Sequence, residues 1–292
     1  MKTLSEKLKA VLDGNDQQKV ICEQLGENRQ YTLKDLNERI DNLNYNFAKQ
    51  GFGFKDKIIG IAMDTSFDWI SVDVMLASTK NIALPVPLDF SDEQLSNLLK
   101  NADYCFVDNL LVAKRLQGLL PNLILLLPDG VCYHKGIAAK DNANLEISGD
   151  QVVKIIHTSG TTSLPKGVLV TDEALGMMTD NLLAVFTQGE ALDYLSFVPM
   201  SLLLEQIFAI YLPLLSGGCV KLKPKTLEVF GSHKTDLDKY LKLISEAKPN
   251  FLYFPPVLLE HFSKNYEDIN YKNLSSNKEI KIKLVYFIFL QL

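Results

Sequence analysis

The chain has 292 residues, 47% of them hydrophobic and 22% charged, with a formal net charge of −5 at pH 7. This is enough apolar material for a large core and two subdomains, and it lacks the basic surplus of a nucleic-acid-binding or strongly membrane-attracted surface. Cys22, Cys105, Cys132 and Cys219 are far apart, with no CxxC pair and no Cys/His zinc spacing, so reduced thiols and no protein metal site are expected.

Leu4, Leu8, Val11 and Leu12 share one helical face. Glu6, Lys7 and Lys9 interrupt any apolar stretch there, which argues against a signal peptide. Thr32 begins a capping box with Asp35, and Leu36, Ile40, Leu43 and Phe47 then repeat at helical spacing. Residues 57–63 form a short apolar, β-branched run that reads as a buried strand. A helix is predicted over 66–79, with Trp69 as core between helix and sheet. A strand follows over 82–89, its two prolines marking an end or an edge. Ser91 caps a helix with Gln94 three residues on, and 104–108 is again a strand. Continuous apolar strands alternating with helices imply a mostly parallel sheet covered by helices.

Residues 109–150 are less regular, with one strand in "NLILLLPDG" and a polar connection after it. A subdomain boundary is expected there, dividing the chain into 1–150 and 151–292. Alternation resumes with strands at 152–158 and 167–171 and a helix capped by Thr171. Next come a strand at 194–198, a helix in "LLEQIFAIYLPLL" and a strand in "GGCVKL". A helix capped by Thr235, a strand at 250–254 and a helix opened by proline complete the pattern. The longest apolar run, Leu284 to Leu290, is too short to span a bilayer.

Between two of these strands lies "HTSGTTSLPKG", His157 to Gly167. Hydroxyls crowd around Gly160, and Pro165 and Lys166 follow. A P-loop requires GxxxxGK[ST] and then a helix. Here Pro165 replaces the second glycine, Gly167 replaces the magnesium-binding hydroxyl, and a β-branched segment follows. The stretch suits a different device. Gly160 permits close backbone approach to an anion, successive N–H groups form a nest, hydroxyls add donors and Lys166 adds charge. A polyphosphate fits such a clamp; a polar surface hairpin without ligand is the bland alternative. His157 reads as a strand-end packing residue, and Glu205 as a satisfied polar group near a pocket.

"TSGTTSLPKGV" resembles the signature loop of the adenylate-forming (AMP-binding) superfamily, close to TSGTTGxPKGV, and the flavour is nearest to long-chain acyl-CoA synthetases. Collinear segments extend the likeness from Tyr31 to Phe262: "YTLKDL", "NIALPVPLDF", "LSFVPMSLLLEQIFAIYLPLLSGGCVKL" and "KPNFLYFPPVLLEHF". The resemblance implies an α/β fold, namely the two sheet-containing subdomains of that family's large N-terminal domain, truncated here and without the mobile C-terminal domain. It implies that Thr158, Ser159, Gly160, Thr161, Thr162, Ser163 and Gly167 line the phosphates of ATP, and that Lys166 neutralises them as the catalytic residue. ATP with Mg2+ would activate a carboxylic, by resemblance fatty, acid to acyl-AMP. The acyl group would pass to a thiol of CoA or of a carrier protein. A cytoplasmic location is expected, with peripheral membrane association left open.

The sequence departs from the family pattern in four places. Ser163 stands at the loop's second glycine, which costs about 1–2 kcal/mol if φ is positive there. Leu202 occupies the acid-pocket edge where many members carry a histidine or aromatic residue; helix core is the other reading. "STKNIA" replaces the usual "KAGA". The family's YGxTE and TGD motifs and terminal lysine do not occur in these 292 residues, so the chain reads as the front part of a larger enzyme. A nucleotide- or acyl-binding remnant is the alternative function.

Overall fold

The computed structural model describes residues 2–51, 56–79, 81–136, 151–158, 166–186, 190–231 and 235–265. The apolar run Leu284 to Leu290 and the loop residues Ser159, Gly160, Thr161, Thr162 and Ser163 lie outside them.

Helix α1 (Leu4–Leu12) starts at a Thr3 capping box with Glu6 and buries Leu4 and Leu8. Strands β1 (Val20–Gln24) and β2 (Arg29–Thr32) form an antiparallel pair that the apolar periodicity did not reveal. Thr32 then caps α2 (Leu33–Lys49) through its capping box with Asp35, and Leu36, Ile40, Leu43 and Phe47 are all buried, as the spacing predicts. Four strands follow: β3 (Ile58–Ala62), β4 (Ile82–Pro85), β5 (Tyr104–Val107) and β6 (Ile124–Leu126). They alternate with α3 (Phe67–Ser78), α4 (Asp92–Leu99) and α5 (Leu110–Leu119). Helix α5, capped by Asn109, corrects the irregular reading of that stretch. The short β7 (Cys132–His134) turns back antiparallel to β6.

From residue 151 on come β8 (Val152–Thr158), β9 (Lys166–Thr171), α6 (Asp172–Phe186) and β10 (Tyr194–Ser196). The expected helix in "LLEQIFAIYLPLL" is a continuous helical run with three parts: α7 (Leu203–Gln206), a π-turn (Ile207–Tyr211) and α8 (Leu212–Ser216). Next come β11 (Val220–Leu222), α9 (Leu237–Ala247) and α10 (Pro256–Asn265). Two local expectations are corrected. Asp236, not Thr235, precedes α9, and it makes no side-chain cap bond; the Thr235 hydroxyl accepts from the Gly231 N–H instead. Residues 250–254 form a single bridge, Phe251 to Tyr194, rather than a strand.

The strands build two sheets, ordered β7-β6-β5-β3-β4-β8-β9 and β10-β11-β1-β2. Strands β3 to β6 and β8 pair parallel in the larger sheet. The sheets do not divide at residue 150: β8 and β9 join the first, while β1 and β2 belong to the second. Side chains alternate across a strand, and both faces of the larger sheet are covered. Ile59, Ile61, Tyr104 and Phe106 face one apolar cluster, which also contains Cys22, Tyr194 and Val220 of the smaller sheet. Ile58, Ala62, Cys105 and Val107 face another, under α4 and α5. The first cluster is therefore a core shared by both sheets, and Trp69 sits in it, 1% exposed. Leu195 and Phe197, from β10 and just beyond it, face a third cluster with α9.

Candidate functional site

The sequence motif lands on a hairpin. Strands β8 and β9 pair antiparallel, and their register closes with Thr158 opposite Lys166. The continuation of the motif is thus a strand, which removes the P-loop alternative because no helix N-terminus follows the loop. Of the residues expected to line phosphate, the backbone of Thr158 and the residues Lys166 and Gly167 are described; Lys166 is exposed on the hairpin's end.

Gly167 lies opposite His157. A Cβ at Gly167 would stand 3.1 Å from Ile155 Cγ2 and 3.3 Å from His157 Nε2. The imidazole therefore borders the space that a Cβ would fill, and a side chain there would crowd both groups by a few tenths of an ångström. Burial pushes the His157 imidazole below its ordinary value, so the neutral ring is favoured. Burial falls off along the hairpin. Val152, Val153 and Lys154 are buried, Ile155 to His157 half-buried, and Val168 and Leu169 on β9 are 50% and 51% exposed. The described part of β9 from Lys166 to Leu169 is therefore open on both faces, with Lys166 at its end.

The second candidate region is the helical run α7–π–α8. Leu202, just before it, is 50% exposed, so it is a surface residue and not helix core. Glu205 is buried and accepts hydrogen bonds from Tyr194 Oη and Ser196 Oγ, each at 2.6 Å. Burial raises its carboxyl to about 8 despite those donors. At the other end, Tyr211 Oη donates to Asp73 Oδ2 at 2.6 Å, and Asp73 Oδ1 pairs with Lys154 Nζ. All three groups are buried. Lys154 Nζ also lies 5.5 Å from the centre of the Tyr211 ring. Burial pushes the Lys154 ammonium down, and the Asp73 carboxylate opposes that shift. Asp73 and Lys154 escape a sequence reading because they sit inside apolar runs that look like plain core. The only signal is that a charge interrupts each run.

Among the described residues, no group of three or more His, Cys, Asp or Glu side chains is arranged to hold a metal ion. No helix there is long and apolar enough to cross a membrane.

This arrangement, a mostly parallel sheet ending in a protruding hairpin and sharing its core with a second sheet, is the fold of the N-terminal part of adenylate-forming enzymes. It is similar to the N-terminal subdomain of NpsA from Klebsiella oxytoca in complex with 3-hydroxybenzoyl-AMSN, with a TM-score of 0.69 and 18% identity over 94% of this chain and 64% of that one. ATP-bound MatB from Rhodopseudomonas palustris gives a TM-score of 0.66 and 17% identity over 92% and 52%. At these identities the likeness concerns the fold alone. In sequence, residues 9–284 match the family model "AMP-binding enzyme", and the chain belongs to that family. A dimodular nonribosomal peptide synthase of Bacillus subtilis is 26% identical over 230 residues, 76% of this chain and 10% of that protein. Gramicidin S synthase 1 of Brevibacillus brevis is 21% identical over 83% of this chain and 21% of its own length. The chain therefore spans a minor part of these curated relatives and just under two thirds of the NpsA subdomain.

Proposed function

We propose that this chain supplies the phosphate-gripping part of an enzyme that activates a carboxylic acid with ATP. The observation that carries the reading is the β8–β9 hairpin, which ends with Thr158 opposite Lys166 and leaves Lys166 exposed. In the reaction a carboxylate oxygen attacks the α-phosphorus, the bond to the bridging oxygen breaks, and pyrophosphate leaves with its charge. The acyl-AMP then loses AMP to a thiol, of CoA or of a carrier protein. Such a step demands positioning and charge neutralisation, not a protein nucleophile. Thr158, Ser159, Gly160, Thr161, Thr162, Ser163 and Gly167 would supply hydroxyl and backbone donors, and Lys166 a mobile cation that follows the leaving phosphates. Magnesium would accompany the nucleotide and add to the neutralisation of its phosphates.

The acid's identity is a finer matter. The exposed apolar side chain of Leu202 favours an acid with an apolar body over a charged amino acid.

The test is calorimetric titration of the chain with MgATP, for wild type and Lys166→Ala. Loss of one charge-assisted contact weakens binding by about 1.5–3 kcal/mol, roughly ten- to a hundredfold. Equal affinity in the two proteins would remove the hairpin from nucleotide binding.

A further inference from the structure

We propose that Asp73, Lys154 and Tyr211 are positioning residues. They fix the root of the β8–β9 hairpin and so decide where Lys166, at its described end, stands. The inference rests on the reading of that loop as the nucleotide grip.

Three observations converge. Lys154 is the last fully buried residue of β8 before the hairpin leaves the core. It is also the residue at which β8 is in register with the body of the sheet, opposite Ala83 of β4. Its ammonium reaches Asp73 on α3, and the same carboxylate receives the hydroxyl of Tyr211 at 2.6 Å. One strand, one helix and one π-turn thus meet at a single carboxylate, at the pivot of a hairpin that is open on both faces further out.

The π-turn gives the contact its direction. Glu205 is tied to β10 of the smaller sheet through Tyr194 and Ser196, and Tyr211 is tied to β8 of the larger sheet through Asp73 on α3 and its partner Lys154. The five π-helical residues Ile207–Tyr211 begin two residues after the first tie and end on the second. A π-turn accommodates one extra residue, and one residue rotates the helix by about 100°. The widened turn therefore sets whether Tyr211 points at Asp73 while Glu205 points at β10. The run carrying Leu202 at its head is in this way connected mechanically to the strand that carries the phosphate loop.

A buried ion pair often contributes little net stability compared with apolar residues of similar size, while breaking one partner is costly. That separates positioning from mere structure. The variant Asp73→Leu/Lys154→Met/Tyr211→Phe removes all three polar groups together. We expect it to melt within a few degrees of wild type, to exchange backbone amides of 155–158 and 166–170 at least tenfold faster, and to bind MgATP about tenfold more weakly. A fold-preserving triple variant with unchanged hairpin exchange and unchanged MgATP affinity would overturn the proposal. If the triple variant unfolds, Tyr211→Phe alone is used. It keeps the ion pair, and faster exchange confined to the hairpin is the supporting result, unchanged exchange the refuting one. Hydrogen exchange reads the hairpin without nucleotide. A wild-type protein that fails to bind MgATP would sink the grip reading yet leave the positioning claim open to support or refutation by exchange.

Discussion

The β8–β9 hairpin and the α7–π–α8 run divide the work in opposite ways. The hairpin is exposed from Lys166 to Leu169 and carries a recognisable string of residue types. The helical run is buried nearly throughout, and on paper it is an apolar stretch with one acid in it. A ligand grip must stay in solvent and use small, polar, backbone-exposing residues, so its chemistry is written locally. A positioning element must be rigid, so its polar groups are desolvated and paired with residues far along the chain. Asp73 and Lys154 are 81 residues apart, and Tyr211 is 138 from Asp73. The contrast teaches that a proposed ligand grip and its proposed positioning element leave different traces in sequence.

Breaking the buried side alone is the largest expected effect. Lys154→Met leaves the Asp73 carboxylate buried without its cation, and should cost about 3–5 kcal/mol in denaturant unfolding. A loss below about 1 kcal/mol would show that the carboxylate is rescued by water or by protonation, and that the pair is not a rigid tie.

Glu205 sharpens the comparison through pH. Its ordinary value is 4.5 and its folded value about 8. Between these limits the folded protein keeps a proton that the unfolded chain has lost, so stability falls as pH rises. The contribution is fully present below 4.5 and gone above about 8, with a slope of at most about 1.4 kcal/mol per pH unit. Glu205→Gln should flatten that slope, because the amide does not titrate and the Ser196 hydroxyl can turn to accept from it. Parallel wild-type and variant curves from pH 5 to 8 would place the titration elsewhere.

The hairpin's own pH response is expected to be smaller and of opposite sign. The His157 ring is depressed below 6.5 by burial. Neutral imidazole is therefore favoured in the folded hairpin, and stability is lost as pH falls through the folded value. Protection of the amides at 166–168, measured against their intrinsic exchange rate at each pH, should fall in acid, and His157→Phe should abolish that fall. Protection independent of pH in wild type would mean the ring is not held over Gly167.

The smallest structural effect belongs to the tip. Lys166→Ala should leave unfolding within about 0.5 kcal/mol of wild type, as exposed substitutions usually do. The same substitution is expected to have the large effect on nucleotide described above. A tip variant that unfolds the protein would erase the distinction between grip and frame.

Much of the frame could be read from residues in order. The Thr32 and Ser91 caps follow from hydroxyls that satisfy orphan N–H groups within three residues. The buried faces of α2 and α4 follow from helical period, and β3 and β5 from unbroken β-branched or aromatic runs. The hydroxyl-rich string located the hairpin because its residue types are determined by chemistry at one place in the chain. Tertiary structure alone decided the rest. The β1–β2 pair forms in a polar segment because β11 lies parallel beside β1, a partner nearly 200 residues away. Residues 250–254 stop at one bridge although their composition favours a strand, since pairing and not propensity makes a sheet. The π-turn, and the meeting of Asp73, Lys154 and Tyr211 at the hairpin's root, depend on how two sheets share one core. No local pattern encodes that, because the low dielectric that makes those polar contacts strong exists only once the distant segments have packed.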